Sequence, residues 1–263
     1  MTTAPVKLHA KIEGNGPDMV LAHGLFGSAE NLGGITRRLR DRYRVHALDL
    51  RNHGRSPHTD THSYTALAAD IVRYLDDTAL PRVHLVGHSM GGKAVMTLAR
   101  SAARRVIAAT VIDIAPKRYP RHHDAILEAL LALRDAPPST RQDADQRLVA
   151  AVPEAAVRQF LLKNLHRTAA GDLALRLNID TIATDYDAIA GWETDVEPCP
   201  VPVGFIVGGA SDYIQAEDRP AILAQFPNAS SRVIPDGSHW VHAEKPDVVA
   251  SVIARFAEAA SVR

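Results

Sequence analysis

Short apolar runs of strand length alternate along the chain with segments of helical period. The runs at 83–86 and 106–112 are almost entirely apolar, as expected of central parallel strands covered on both faces. Between residues 64 and 75 the apolar positions recur at i, i+3, i+4 and i+7, with Ser63 as the expected N-cap of an amphipathic helix. Similar patterns predict further strands at 6–13, 18–23, 44–50, 203–207 and 231–234, and helices at 93–103 and 246–260.

This alternation of strands and helices predicts an α/β fold with a mostly parallel central sheet and right-handed crossovers. The first two strands are the exception, because only the turn Gly14-Asn15-Gly16-Pro17 separates them. A short turn rich in glycine and proline between two strand patterns is typical of a hairpin. We therefore expect strands 6–13 and 18–23 to pair with each other.

The segment from about residue 116 to 198 contains helical patterns and no convincing strand. Its apolar spacing predicts four amphipathic helices at 125–133, 143–151, 154–165 and 173–189. The proline-rich stretch from Pro198 to Pro202 then returns the chain to the sheet. The sequence predicts one domain over 1–263, with a core formed by 1–115 and 199–263 and a helical cap formed by about 116–198.

Composition narrows the function classes. The 263 residues are 46% hydrophobic, and 30 Lys and Arg balance 30 Asp and Glu, so bulk binding to nucleic acid has no support. We expect no membrane span, because the longest stretch free of charged residues is short and broken by prolines. The lone Cys199 and the absence of a signal-peptide pattern favour the cytoplasm. The 13 histidines show no metal-ligand spacing, so we expect no metal.

The most specific chemical motif is Gly87-His88-Ser89-Met90-Gly91-Gly92. It lies between a predicted strand and a predicted helix, the setting in which a G-x-S-x-G turn exposes a nucleophilic serine. The glycines allow the tight turn, and the serine hydroxyl lies at the positive end of the following helix. The alternative is an ordinary glycine-rich turn whose serine only caps the helix. We interpret Ser89 as the nucleophile.

A serine nucleophile needs a histidine base, and the base needs an orienting acid. His239 follows the last predicted strand, and His242 is its rival one turn later. Asp113 and Asp212 each follow a strand and lie between Ser89 and His239 in the chain, the order that this arrangement requires. An aspartate in the apolar surroundings of Asp113 needs a partner. The residues leave both aspartates as candidate acids.

Two backbone N–H groups should stabilise the oxyanion of the reaction. Met90 follows the nucleophile directly, and Leu25 lies in the glycine-rich loop after the second strand. Phe26 and Trp240, which neighbour Leu25 and His239 in the chain, are candidate substrate contacts. The segment from Asp49 to Ser56 is also rich in polar groups, and we interpret it as a loop whose side chains hold neighbouring backbone.

Taken together, these motifs resemble the α/β-hydrolase superfamily, and most closely its small YbfF-type esterases. The resemblance rests on His23-Gly24 with Gly27, on the segments 49–56, 87–92, 111–116 and 237–246, and covers nearly the whole chain. It implies the α/β-hydrolase fold with a helical cap. It also implies that Asp113 is the acid, whereas the nearby Asp212 is a departure that keeps the second candidate open.

The predicted function is a serine carboxylesterase or thioesterase that acts on small acyl substrates without a cofactor. A basic run at 117–123 would favour an anionic acyl-CoA if it lined the entrance, although a solvated face is the simpler interpretation. The same triad could serve a carbon–carbon bond hydrolase or a cofactor-free perhydrolase of the haloperoxidase type. A non-catalytic small-molecule receptor is a more remote alternative. The oligomeric state stays open.

Overall fold

A computed structural model describes residues 4–261, and nine strands are present in that part of the chain. They are β1 (His9–Glu13), β2 (Asp18–Ala22), β3 (Arg44–Asp49), β4 (Val83–His88), β5 (Val106–Ile112), β6 (Leu165–Arg167), β7 (Leu173–Leu175), β8 (Val203–Gly208) and β9 (Ser230–Ile234). Seven of them form the main sheet in the order β1-β3-β2-β4-β5-β8-β9. All neighbours in this sheet are parallel except β1 and β3.

The predicted hairpin of the first two strands is wrong. β3 lies between β1 and β2 and pairs antiparallel with β1 and parallel with β2. The turn at Gly14–Pro17 therefore passes over the end of a third strand instead of closing a ladder. Gly14 is required there, because its φ is 84° and a Cβ would come within 2.1 Å of the Arg40 carbonyl oxygen. Pairing between residues as far apart in the chain as His9 and Asp49 is not visible in the local pattern.

Residues 4–261 contain eleven α-helices, some of which cover the two faces of the sheet while others form the cap. They are α1 (Gly33–Leu39), α2 (Tyr64–Asp77), α3 (Met90–Ser101), α4 (Asp124–Asp135), α5 (Arg141–Leu148), α6 (Ala155–Leu162), α7 (Ile179–Thr184), α8 (Tyr186–Ala190), α9 (Arg219–Gln225), α10 (Val241–Glu244) and α11 (Pro246–Ser261). The sequence patterns did not predict α1, α9 or α10. The Ser63 hydroxyl accepts a hydrogen bond from the Ala66 N–H at the start of α2, as expected of the N-cap.

The core has two parts, one on each face of the sheet. On one face α1 and α11 bury side chains such as Ile35 and Ile253, and on the other α2 and α3 bury side chains such as Ile71 and Val95. The strands between them are nearly all buried, which confirms the predicted mostly parallel sheet flanked by helices. Within residues 4–261, no helix has both the length and the apolar character needed to cross a membrane.

The cap consists of α4 to α8 and the small sheet β6–β7, all inserted between β5 and β8. The first three predicted cap helices correspond to α4, α5 and α6. The prediction of one helix over 173–189 is wrong, because residues 173–175 form β7 in a hairpin with β6, and α7 and α8 follow. The hairpin turns at Gly171, whose φ is 94°. Strands of three residues are too short to produce a recognisable alternation.

Candidate active site

Ser89 occupies a strained turn between β4 and α3. Its φ of 50° and ψ of −119° lie outside the regions that a side chain normally adopts. A Cβ on Gly87 would come within 2.2 Å of the Gly91 carbonyl oxygen, and one on Gly91 within 2.3 Å of the Ala22 carbonyl oxygen. Both glycines are therefore required by close backbone approach. The turn leaves the hydroxyl of Ser89 at the carboxyl edge of the sheet, where it lines two small cavities.

The structure brings Ser89, His239 and Asp113 together although 150 residues separate the first two in the chain. The Nε2 atom of His239 lies 3.0 Å from the Ser89 Oγ, and its Nδ1 atom lies 2.8 Å from Oδ2 of Asp113. A carboxylate has no proton to donate, so Nδ1 of the neutral ring carries the hydrogen and Nε2 is free to accept one. The arrangement can therefore move a proton from the serine hydroxyl to the imidazole.

Asp113 is fully buried and has a φ of 53° directly after β5. Its carboxylate also accepts hydrogen bonds from the Gly208 N–H at 2.8 Å and from the Ser211 hydroxyl. These donors offset the cost of burying the charge. Asp212 is exposed, and within the described residues its carboxylate makes no hydrogen bond to His239. Ser211 was missed by the sequence reasoning, which considered only its neighbour Asp212.

The rings of Tyr213, His88 and Trp240 surround His239. The Tyr213 ring stacks on it with centroids 3.6 Å apart and an angle of 15° between the planes. The ring of His88 packs near the His239 ring, with centroids 4.9 Å apart, and its Nε2 atom lies 2.9 Å from the His239 carbonyl oxygen. His242, the rival base, packs against His88 at 3.9 Å instead of facing Ser89, and burial lowers the pKa of His242 to about 3. Neither Tyr213 nor His88 was predicted as a site residue, and no sequence pattern marks the stacking partner.

The two predicted oxyanion donors, Leu25 and Met90, line the same cavity as Ser89. Their backbone N–H groups take part in none of the hydrogen bonds found among residues 4–261, so both are available to a ligand. Met90 begins α3, whose N-terminal end carries a partial positive charge. The loop with Leu25 lies close to the nucleophile: a Cβ on Gly24 would come within 3.3 Å of the Ser89 Cβ.

Two cavities meet at Ser89. The apolar cavity, about 70 Å³ in volume, is walled by Phe26 and Trp240 and by the cap residues Ile126, Val157, Phe160 and Leu161. The tyrosine cavity, about 40 Å³, is lined by Tyr64, Tyr119, Tyr186 and Tyr213 together with Lys93. The structure therefore places both candidate substrate contacts, Phe26 and Trp240, beside Ser89.

Lys93 is a buried lysine in the lining of the tyrosine cavity. Its ammonium donates to the carbonyl oxygens of Ala190 at 3.1 Å and Gly191 at 2.8 Å, at the end of α8. Burial lowers the pKa of Lys93 to about 7. The side chain joins α3, one turn after Ser89, to the end of the cap. The sequence reasoning missed it because a lysine inside a helix has no distinctive pattern.

Two of the three Lys and Arg side chains in the basic run at the start of the cap are paired, whereas the exposed Arg118 makes no ion pair among residues 4–261. Lys117 pairs with Asp218 at 2.7 Å, and Arg121 pairs with Asp124 at 2.7 Å and with Asp187 at 2.8 Å. Burial lowers the pKa of His123 to about 4, so this ring is neutral at physiological pH. The run therefore offers far less free positive charge than its sequence indicates.

A larger cavity, about 520 Å³, does not include Ser89 and lies beside the polar loop after β3. At the end of β3 the Asp49 carboxylate accepts from the N–H groups of Ala29 at 2.7 Å and Arg55 at 2.9 Å. Arg51 forms a buried ion pair with Asp70. These contacts agree with a loop that holds neighbouring backbone. Among residues 4–261, no group of three or more His, Cys, Asp or Glu side chains is arranged to hold a metal ion.

Comparison with known proteins places this geometry in a family. The family model described as "Alpha/beta hydrolase family" matches residues 19–252. The chain is 41% identical to "Esterase YbfF" of Escherichia coli over 94% of this chain and 95% of that protein. It is 38% identical to "sn-1-specific diacylglycerol lipase ABHD11" of Mus musculus over 91% of this chain and 80% of that protein. A solved "Marine microorganism esterase" superposes with a TM-score of 0.92 at 34% identity, covering 95% of this chain and 99% of that one. The chain therefore belongs to the alpha/beta hydrolase family.

Proposed function

We propose that this protein is a serine esterase that cleaves small acyl esters through an acyl-enzyme. The observation that carries the proposal is the hydrogen-bonded series from Ser89 through His239 to the buried Asp113. Esterase and lipase names among relatives of 38% to 41% identity over nearly the whole chain support the same reaction class.

In the first half of the reaction, the Ser89 Oγ attacks the acyl carbon while its proton passes to Nε2 of His239. The electron pair of the carbonyl moves onto its oxygen, where the N–H groups of Leu25 and Met90 would stabilise it. Asp113 holds the ring in the required tautomer and stabilises the imidazolium that forms. Collapse of the tetrahedral intermediate breaks the bond to the leaving oxygen, which takes the proton from His239 and departs as the alcohol.

In the second half, a water molecule replaces the alcohol. His239 removes one of its protons, the oxygen attacks the acyl carbon, and the carbon–oxygen bond to Ser89 breaks as the serine regains a proton. The products are the carboxylic acid and free enzyme. Every step uses groups of this chain and water, so the proposed reaction needs no cofactor.

The cavities favour a short acyl chain. At about 70 Å³, the apolar cavity is far smaller than the several hundred Å³ that usually hold a drug-sized ligand. Because its cap wall is formed by Ile126, Val157, Phe160 and Leu161, it suits the acyl group. The tyrosine cavity, which has tyrosine side chains and Lys93 in its wall, suits a more polar leaving group. A thioester leaving group fits the same chemistry, but the paired state of Lys117 and Arg121 gives no support to an anionic one.

A hydrolysis screen tests the proposal. Esters and matched acyl-CoA thioesters of two to twelve carbons are assayed with the wild type and with Ser89→Ala. We expect turnover of short esters that falls by several orders of magnitude in Ser89→Ala. Turnover that is absent from the wild type, or that survives in Ser89→Ala, would contradict the proposal.

A further inference from the structure

The loop that carries Leu25 contains a strained residue. Phe26 has a φ of 60°, a left-handed conformation that is uncommon for a bulky side chain. Such a conformation is unfavourable and persists only where the surroundings fix it. The loop therefore needs contacts that hold Phe26 in place.

Two buried side chains hold the backbone of Phe26 on both sides. The Phe26 N–H donates to Nε2 of His53 at 3.2 Å, and the Phe26 carbonyl oxygen accepts from Nδ2 of Asn164 at 2.8 Å. His53 is fully buried, and Asn164 is 4% exposed. His53 belongs to the loop after β3, whereas Asn164 belongs to the cap, two residues beyond α6. The core and the cap thus hold the same residue.

The hydrogen bond of His53 requires one protonation state of its ring. Its Nδ1 atom lies 2.9 Å from the Arg51 carbonyl oxygen and must donate, so Nε2 carries the lone pair that receives the Phe26 N–H. Burial and the neighbouring histidines keep the pKa of His53 well below its usual value, so the ring stays neutral. The peptide unit that joins Leu25 to Phe26 is thereby fixed in orientation, and this unit is adjacent to the N–H of Leu25.

We propose that His53 and Asn164 are positioning residues for the oxyanion donor on Leu25, and that the docked cap completes the oxyanion site through Asn164. The inference rests on the proposed esterase function. A loop with Phe26 released would relax from the left-handed conformation and turn the Leu25 N–H away from the reacting oxygen. A displacement of about 1 Å at such a donor can cost about a hundredfold in rate.

A purely structural role must be separated from this positioning role. Asn164 also donates to the Leu161 carbonyl oxygen at 3.0 Å, so its loss could simply loosen the cap. Thr181 supplies a matched control, because this cap residue donates from its hydroxyl to the Thr59 carbonyl oxygen of the core at 2.9 Å. Thr181→Val removes a cap-to-core hydrogen bond that ends outside the Leu25 loop.

The experiment compares Asn164→Leu, His53→Leu, His53→Gln and Thr181→Val with the wild type. The readouts are kcat and KM for a short ester, the inhibition constant of a trifluoromethyl ketone, and thermal melts. Addition of Ser89 to this ketone creates an oxyanion, and the serine proton passes to His239, so its affinity reports the oxyanion site. KM reports ground-state binding instead.

We expect Asn164→Leu and His53→Leu to lower kcat about 10- to 100-fold and to weaken the ketone by the same factor, with KM changed less than about threefold. The glutamine in His53→Gln keeps an acceptor and should recover most of the loss. Thr181→Val should stay within about threefold of the wild type in all constants, because loss of its hydrogen bond to Thr59 leaves the contacts of Phe26 in place.

Three results would overturn the inference. They are equal effects of Asn164→Leu and Thr181→Val, a loss confined to KM, and ketone affinity unchanged in His53→Leu. If Asn164→Leu does not fold, the comparison of His53→Leu with His53→Gln decides, because the two variants differ in whether residue 53 offers an acceptor to the Phe26 N–H. A wild type that hydrolyses no ester would count against the proposed function, whereas an active wild type with unaffected variants would count against this inference alone.

Discussion

At the residue scale, the choice between the two aspartates is the sharpest consequence of the structure. Asp113→Asn keeps the shape of the side chain but removes the negative charge that faces the Nδ1–H group of His239. We expect kcat to fall by about 10⁴, as when a triad histidine loses its orienting carboxylate. Asp212→Asn, at an exposed position, should stay within about threefold of the wild type. The two kcat values, with melts to check folding, decide the assignment, and the reverse order would refute it.

Ser211 offers a graded test of the same carboxylate. Its hydroxyl donates to Oδ2 of Asp113, the oxygen that also faces His239. Ser211→Ala removes one donor but leaves the one from Gly208, so we expect a loss of kcat of about 10- to 150-fold, equal to one hydrogen bond to a charged group. A loss as large as that of Asp113→Asn would mean that Ser211 has a different role.

The nucleophile was predictable from the sequence because its turn requires glycines at fixed positions around Ser89, and these are visible in the local motif. Sequence reasoning favoured Asp113, from its apolar surroundings and the family resemblance, but kept Asp212 as the alternative, because both follow strands that are neighbours in the sheet, β5 and β8. The choice depends on how the loop after β8 folds back, with Ser211 pointing inward and Asp212 outward. Contacts such as the stacking of Tyr213 on His239 likewise join distant segments and leave no local pattern.

At the element scale, α6 should set the length of the acyl chain. Phe160 of α6 packs edge-on against Trp240 with ring centroids 4.4 Å apart and narrows the apolar cavity. Phe160→Ala should raise kcat/KM for an octanoyl ester relative to a butyryl ester by about 10-fold or more, because each methylene group in an apolar pocket is worth about 1–3 kcal/mol. Val149→Ala, at an exposed cap position, is the control. An unchanged chain-length profile in Phe160→Ala would place the acyl group elsewhere.

The start of the cap gives a second prediction at this scale. Since Arg121 is paired with Asp124 and Asp187, it has little free charge to attract an anionic substrate. Arg121→Ala should therefore change KM by the same factor, below about threefold, for an acyl-CoA and for a neutral ester. Measurements at low and high salt check this. A selective rise in KM for acyl-CoA that salt abolishes would show that the run steers anions after all.

The elements themselves were predictable to the extent that their signals are local. Long central strands and α2, α3, α4 and α11 follow the apolar period of the sequence. The pairing of β1 with β3 was not visible, because strand partners are chosen by packing across the whole sheet. The β6–β7 hairpin escaped because three residues per strand provide no alternation, although Gly171 marks its turn.

At the scale of the whole molecule, buried histidines should make stability depend on pH. Eight of the described histidines have a pKa that burial lowers below the usual value: His23, His46, His53, His62, His84, His88, His123 and His242. In the unfolded chain each takes up a proton near pH 6.5, whereas His62 and His242 in the folded protein do so only near pH 3. The free energy of unfolding is therefore greatest above about pH 6.5 and falls as the pH drops toward 3.

Denaturant titrations at pH 8, 6, 5 and 4 measure this slope. Each buried histidine that remains neutral in the folded protein lowers the free energy of unfolding by up to about 1.4 kcal/mol for each unit that the pH drops below 6.5. His84→Gln removes one of them far from Ser89, where the ring bonds to Ser261, and should make the fall shallower. Stability that is constant from pH 8 to pH 5 would contradict the neutral, buried state of these rings.

The central claim is that Ser89 is an activated nucleophile, and covalent labelling measured by intact mass tests it most directly. A fluorophosphonate probe reacts with a serine only where a base removes its proton. We predict that the wild type gains the mass of one phosphonyl group, that peptide mapping places it on Ser89, and that Ser89→Ala gains none while remaining folded. Equal labelling of the wild type and Ser89→Ala, or no labelling of the folded wild type, would contradict the account.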